Sequence, residues 1–323
     1  MKGPMSGWKA LGLLWVLVLS AGCQAPPTQK ADTVYLFSSF RGNGEGGLHL
    51  AYSRDGLTWT ALRDDQSFLK PSLGGGLMRD PCIIQGPDGA FHMVWTTGWE
   101  DQGLGVAHSE DLVNWSEQQF VPVMAHEPEA RNTWAPEIFW DEQNKQYVIY
   151  WATTIPERFP ETASTGDDGL NHRIYYTTTR DFESYTDTKL FYEPGFNVID
   201  STIVRDGEGY VMILKDETRH PAEKNLRVAR SDSLYGPWST PSEPFTPDGV
   251  WVEGPTLLRT GEHFIVYYDE YIEHEYGAMR TRDFETWENI SDRIDFPEGT
   301  RHGTVFTVPE SVLEEIKRKV SEP

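Results

Sequence analysis

One short pattern occurs five times along the chain, and any fold proposed for it has to explain that recurrence. The copies are Ser53-Arg54-Asp55-Gly56-Leu57-Thr58-Trp59, Ser109-Glu110-Asp111-Leu112-Val113-Asn114-Trp115, Thr179-Arg180-Asp181-Phe182-Glu183-Ser184-Tyr185, the one-residue-longer Ser231-Asp232-Ser233-Leu234-Tyr235-Gly236-Pro237-Trp238, and Thr281-Arg282-Asp283-Phe284-Glu285-Thr286-Trp287. In each, a hydroxyl and a nearby acid can satisfy backbone groups in a turn, and an aromatic follows that can pack between layers. The aromatics lie 49 to 70 residues apart, which suits a four-stranded sheet with its loops.

Copies two to five are each preceded by a short motif, an apolar strand, a turn and a second apolar strand. The leading segments begin at Asp80, Ala135, Asp200 and Glu253, and their partners are Phe91-His-Met-Val-Trp, Tyr147-Val-Ile-Tyr-Trp, Tyr210-Val-Met-Ile-Leu and His263-Phe-Ile-Val-Tyr-Tyr. Turn residues such as Gly86-Pro-Asp-Gly and Asp206-Gly separate the pairs, as hairpins require. The first copy lacks a leading strand, whereas His302-Gly-Thr-Val-Phe-Thr-Val near the C-terminus is unclaimed. Joining the two predicts an all-β, five-bladed β-propeller over residues 32–310, closed by pairing of the N- and C-terminal strands in one blade. A β-sandwich, or two all-β domains, is the competing arrangement of short, regularly spaced strands. Apolar spacing at Val312, Leu313, Ile316 and Val320 predicts a helix over 311–323. The longest departure from the repeat, Thr153 to Arg173, reads as a surface loop that closes one end of a cleft, with His172 as a solvated residue in it.

Charge narrows the partners. With 50 Asp and Glu against 28 Lys and Arg, the formal net charge is −22, which argues against nucleic acid and other polyanions. Neutral glycan remains open, because sugars are bound by aromatic stacking and hydrogen bonds, and 13 % of the residues are aromatic. The first 22 residues have Lys2 and Lys9 ahead of a short apolar run, the pattern of an export signal. The run ends in Leu19-Ser20-Ala21-Gly22-Cys23, which resembles a bacterial lipoprotein box; Cys23 then carries lipid, residues 23–31 form a tether, and Gln24 in place of Asp favours the outer membrane. Removal of the signal leaves Cys23 and Cys82, and with Cys23 lipidated no internal disulfide forms. His92 and His108 flank a hairpin without a third ligand, which is weak support for zinc.

In a propeller the innermost strands face one axis, so the residues that open them converge from distant positions. Asp80, the Trp134-Ala-Pro-Glu137 region, Asp200, Glu253 and His302 are brought together in this way. Crowded acids repel one another, and such crowding marks a functional site. Glycoside hydrolysis with inversion uses one carboxylate to activate water and one carboxylic acid to protonate the departing oxygen, with a third acid to raise the second one's pKa. Chemistry alone does not say which acid does which.

The ordered set Arg79-Asp80-Pro81, Trp134-Ala135-Pro136-Glu137, Ile199-Asp200-Ser201, Glu253-Gly254-Pro255 and Arg301-His302-Gly303 resembles glycoside hydrolase family 43 across nearly the whole mature chain. The resemblance implies Asp80 as general base, Glu253 as general acid and Asp200 as the group that modulates and orients the acid. It implies Trp134 as a stacking platform, Phe40, Arg41, Trp99 and Arg301 as rim contacts, and His302 as an axial histidine that helps hold a Ca²⁺ ion or its waters. No other cofactor is expected. The expected function is exo-acting, inverting hydrolysis of terminal sugars on neutral glycans, with α-L-arabinofuranosyl first, β-xylosyl next and β-galactofuranosyl behind. Alternatives are a non-catalytic glycan-binding propeller and a transferase or phosphorylase.

Overall fold

The computed structural model describes residues 1, 3 and 33–321. Nearly all of the export signal, Cys23 and the rest of the tether lie outside the described residues.

Five antiparallel sheets follow one another around a ring. Blade one takes its inner strand, Arg301–Pro309, from the C-terminal end of the chain and its next three, Thr33–Phe40, His49–Ser53 and Thr60–Ala61, from the N-terminal end. Val34 lies opposite Val308 and Leu36 opposite Phe306, so the ring closes through a ladder of apolar pairs. The inner strands of blades two to five are Arg79–Gln85, Trp134–Asp141, Val198–Asp206 and Glu253–Thr260. Each is next to the inner strands on either side of it, all the way round. Each is followed by strands running outward, and the second strand of each blade, such as Phe91–Thr96 or Gly209–Asp216, is almost entirely buried because both of its faces meet neighbouring blades.

The core is divided into five apolar clusters, one for each junction between blades. The repeated aromatics explain why five copies are needed. Trp59 of blade one packs among residues of blade five, Trp115 of blade two against blade one, Tyr185 of blade three against blade two, Trp238 of blade four against blade three, and Trp287 of blade five against blade four. Trp287 stacks on Phe245 with ring centroids 3.8 Å apart, and Trp59 on Phe296 at 5.3 Å. The turns that carry them are built as their residues suggest. Asp111 Oδ1 accepts from the N–H groups of Val113 (2.9 Å) and Asn114 (2.7 Å), and Ser109 Oγ accepts from Leu112 N–H (2.8 Å). Asp55, Asp181 and Asp283 each accept from two backbone N–H groups in the same way. The fourth copy has Ser233 at this place, which accepts a single, longer bond from Tyr235 N–H at 3.3 Å.

Blade four departs from the expected four strands and has three. The segment that would form its outer strand still bonds back, Ser239 N–H to Arg230 C=O and Ser242 N–H to Val228 C=O. Pro237, Pro241 and Pro244 lie in and beside it and cannot donate, so no continuous ladder forms. A helix, Glu310–Ser321, follows the closing strand and buries Leu313 and Ile316 at the junction of blades one and two.

Candidate active site

The site is made by an irregularity repeated at the start of the inner strands. Pairing with the second strand is interrupted between Arg79 and Cys82, Trp134 and Glu137, Ile199 and Thr202, and Glu253 and Thr256. At the same position within each interruption the backbone turns left-handed, with φ of 52° at Asp80, 46° at Ala135, 49° at Asp200 and 60° at Gly254. Such bulges bend a strand and re-aim its side chains. Asp tolerates this conformation better than most residues. At the fourth, glycine is required for a second reason, since a Cβ on residue 254 would lie 2.3 Å from Cγ of His302. On the closing strand the same register shift separates Arg301 from Thr304, through their partners Phe40 and Ser38.

The expected residues are thereby brought together around His302. Its Nδ1 lies 3.2 Å from Asp80 Oδ1 and 4.0 Å from Asp200 Oδ2. Burial disfavours its charge, but the Asp80 and Asp200 carboxylates outweigh that and raise its pKa to about 9, so the ring is a buried cation at neutral pH. The carboxyls respond differently. Burial pushes Asp80 upward, but the charge and hydrogen bond of His302, helped by Arg79 and by Thr96 Oγ1 donating at 2.8 Å, bring it down to about 2. Asp200 is raised to about 6 by burial, with Glu253 and Asp80 adding repulsion against the pull of His302 and Lys215. It also accepts from Gly254 N–H at 3.0 Å. Glu253 is the most accessible of the three, with its side chain 19 % exposed against 10 % for Asp80 and 6 % for Asp200. Its Oε1 accepts from Arg301 Nη2 at 3.1 Å and its Oε2 lies 3.4 Å from Lys215 Nζ.

The aromatic and basic candidates divide. Trp134 is half-buried; its Nε1 donates to Trp99 C=O at 2.9 Å, and its ring meets Trp99 edge-on at 5.5 Å. Trp99 itself is 47 % exposed. The two tryptophans line a cavity of about 530 Å³ together with Glu100, Arg131, Asn132 and Asp168. Phe40, expected at the rim, is fully buried, with the guanidinium of Arg79 lying 4.6 Å above its ring and 4.3 Å from that of Trp99. It supports a cation and offers no face to a ligand. Arg41 is committed to Asp65 through bonds of 3.1 and 2.7 Å. Arg301 joins the site through Glu253 and through a 2.6 Å bond to Asp269. His172, expected in solvent, is 1 % exposed, because the preceding strand runs to Thr154 and the next begins at His172, which tucks the ring against Trp134 at 5.0 Å. Burial lowers its pKa to about 4, so it is neutral. His92 and His108 pair with each other at 2.8 Å.

His302 is the residue that would hold a Ca²⁺ ion or its waters; its Nδ1 is engaged with Asp80 at 3.2 Å, so such a contact would fall to Nε2. Among the described residues no group of three or more His, Cys, Asp or Glu is placed to hold a metal ion.

One step deeper along the inner strands, Glu137 closes the axis. It is buried, accepts from Thr202 Oγ1 at 2.9 Å and Thr304 Oγ1 at 3.3 Å, and so ties blade three to blades four and one. Burial raises it to about 7 despite these bonds. Sequence reasoning missed Asp269 and Lys215 altogether. Both end apolar runs, Tyr210-Val-Met-Ile-Leu-Lys215 and Phe264-Ile-Val-Tyr-Tyr-Asp269, and both sit on second strands opposite an inner-strand bulge. A charge that continues a buried strand was the available sign.

Comparison with known proteins agrees with this geometry. A curated α-L-arabinofuranosidase from Bifidobacterium longum subsp. longum is 24 % identical over 88 % of this chain, and the chain spans about a third, 34 %, of that protein. Among solved structures, a Cellvibrio cellulosa α-L-arabinanase bound to arabinohexaose has the same fold, with a TM-score of 0.56 at 13 % identity, over 85 % of this chain and 96 % of that one. An exo-β-1,3-galactanase from Phanerochaete chrysosporium, bound to β-1,3-galactotriose, aligns with a TM-score of 0.51 at 13 % identity, over 68 % of this chain and 51 % of that one. A family described as a probable glycosyl hydrolase domain, related to glycosyl hydrolase family 43, matches residues 31–314. Matched along the whole of its propeller, the chain belongs to this family of glycosyl hydrolases related to family 43.

Proposed function

We propose that this protein is an exo-acting, inverting glycoside hydrolase that removes terminal sugars, α-L-arabinofuranosyl first among them, from neutral glycans. The observation that carries the reading is the meeting of acids from different blades at one centre: His302 Nδ1 lies 3.2 Å from Asp80 Oδ1 and 4.0 Å from Asp200 Oδ2, and Asp200 accepts from the N–H of Gly254, next to Glu253. Inversion needs such a set, since one carboxylate must take a proton from water while a carboxylic acid gives one to the leaving oxygen. Asp80, fixed by His302 and Thr96, serves as the base. Glu253 serves as the acid because it is the carboxyl nearest the open side, where a departing sugar or alcohol must lie. Asp200 and Asp269, both raised to about 6 mainly by burial, belong to the same network. Lys215 and Arg301 keep the Glu253 carboxyl aimed.

A glycan-binding propeller without turnover would have no use for acids from different blades crowded round one histidine. The loop between Thr154 and His172 walls the cavity beside Trp99 and Trp134, which favours a chain end over a chain interior. Arabinofuranosyl is placed first because the Bifidobacterium longum relative bears that activity in its name; β-xylosyl and β-galactofuranosyl follow by the same mechanism. The N-terminal pattern supports export and attachment through lipid on Cys23, at the outer membrane. The test is a panel of aryl α-L-arabinofuranosides, β-xylosides and β-galactofuranosides assayed with the wild type and with Glu253→Gln. The wild type should cleave one of them, and the variant should lose about 10²- to 10⁴-fold in kcat on substrates with poor leaving groups while still binding them. No turnover on any of the panel would contradict the reading.

A further inference from the structure

The loop of blade three and the carboxyl of Glu253 are joined by an unbroken line of alternating charges. Asp167 Oδ2, in the loop, accepts from Lys224 Nζ at 3.0 Å. Lys224 also bonds Glu217 Oε1, and Glu217 Oε2 lies 2.7 Å from Lys215 Nζ, which in turn stands 3.4 Å from Glu253 Oε2. The two lysine side chains are 1 % and 2 % exposed. Removing either ammonium would leave the largely buried Glu217 with one of its two cationic partners, so the members hold one another in place. Lys215 remains charged, since Glu217, Glu253 and Asp200 together overcome the cost of its burial. Glu217 remains ionised through Lys215 and Lys224 against the same cost. Two neighbouring rings lie along the line: Tyr271 is 4.7 Å from Lys215 Nζ, and Trp251 faces Lys224 and Arg219.

The loop end of the line is fastened to blade four. Arg219 N–H and His220 N–H both donate to Thr165 C=O, at 2.6 and 3.1 Å. The residue after Asp167 is Asp168, which lines the cavity beside Trp99 and Trp134, and its C=O accepts from Arg131 Nη1 at 2.9 Å. A sugar seated in that cavity would therefore press on the loop one residue away from the start of the charge line.

We propose that Lys215 is a positioning residue for Glu253, and that Asp167, Lys224 and Glu217 transmit to it the placement of the loop that lines the cavity. This rests on the reading of Glu253 as the acid. Within it, the line would make delivery of the proton depend on how well the cavity is filled, without any of its four members touching the scissile bond.

The test uses the full chain with Lys215→Met, Lys215→Arg and Asp167→Asn, and a series of aryl glycosides of the sugar the wild type cleaves, from dinitrophenyl to phenyl leaving groups. Help from a well-aimed acid matters for phenyl and little for dinitrophenyl. Lys215→Met should lose about 30-fold or more in kcat on phenyl and less than about 3-fold on dinitrophenyl, with KM nearly unchanged, and Lys215→Arg should recover part of the loss. Asp167→Asn, altered on a half-exposed side chain that leaves the buried charges intact, should show the same pattern at about 3- to 10-fold, so the idea stays testable if Lys215→Met does not fold. Hydrogen exchange of segment 162–172 supplies a readout without turnover, and Lys215→Met or Lys215→Arg should raise it about threefold or more. Equal losses across all leaving groups, or loop exchange unchanged by substitution at Lys215, would overturn the proposal. If the wild type cleaves none of the glycosides, the functional reading fails, and the exchange result alone decides whether loop and lysine are coupled.

Discussion

Two structures in this molecule are repeated round the ring, and they treat sequence in opposite ways. The outer turns repeat their residues, a hydroxyl, an acid and an aromatic, because each copy has the same task of satisfying a turn and filling the junction with the preceding blade. The inner bulges repeat their backbone and vary their residues. Asp80, Ala135, Asp200 and Gly254 share one conformation, and with His302 they face one axis, where five identical side chains could not perform different parts of a reaction. A repeated task keeps sequence similar, whereas a shared centre drives it apart.

That contrast predicts which substitutions are felt in activity and which in stability. The largest effect belongs to the inner ring. Asp80→Asn keeps the shape and should lower kcat by about 10³-fold or more, with the folded structure retained. The matching change in an outer junction, Trp287→Ala, should leave kcat of the folded enzyme unchanged and cost about 2 kcal/mol of stability, below the range for a fully buried Trp because this one is partly exposed. Steady-state kinetics and thermal unfolding of the two variants, side by side, would break the comparison if the losses crossed over.

A smaller effect sharpens the same contrast through pH. His302 keeps its proton to about 9 in the folded chain, so its contribution to stability is whole below the ordinary histidine range and is lost as pH rises through 9. Asp200 and Glu137, raised to about 6 and about 7, also stabilise least above those values. Asp80, lowered to about 2, works in the other direction and loses its contribution as pH falls from about 4 toward 2. Tm should therefore fall by roughly 5 °C or more between pH 7 and pH 9, the window in which the contribution of His302 is lost. In His302→Gln the decline on the alkaline side should shrink, while outer-turn variants such as Asp111→Ala should keep it.

The same division explains what could be read from the chain and what could not. The outer repeat was legible because like residues recur at like spacing, and the propeller with its closing blade followed from it. Asp80, Asp200 and Glu253 were legible as openings of inner strands. Phe40 was not, because the sequence does not reveal that Arg79 covers its ring. His172 looked like a loop residue until the strand proved to begin there. Lys215, Glu217, Lys224 and Asp269 gain their meaning only when the second strands of two blades and a loop from a third are side by side. The missing strand in blade four was written in Pro237, Pro241 and Pro244, which a count based on repeat length passes over.

The central claim is that the Asp80 carboxylate activates water on one side of a sugar whose leaving group departs toward Glu253. Following the first-formed product by NMR tests it directly. A β-L-arabinose product from an α-L-arabinofuranoside, appearing before mutarotation, is the predicted result. A product that keeps the starting configuration would mean that a carboxylate attacked the sugar itself, and would contradict the account.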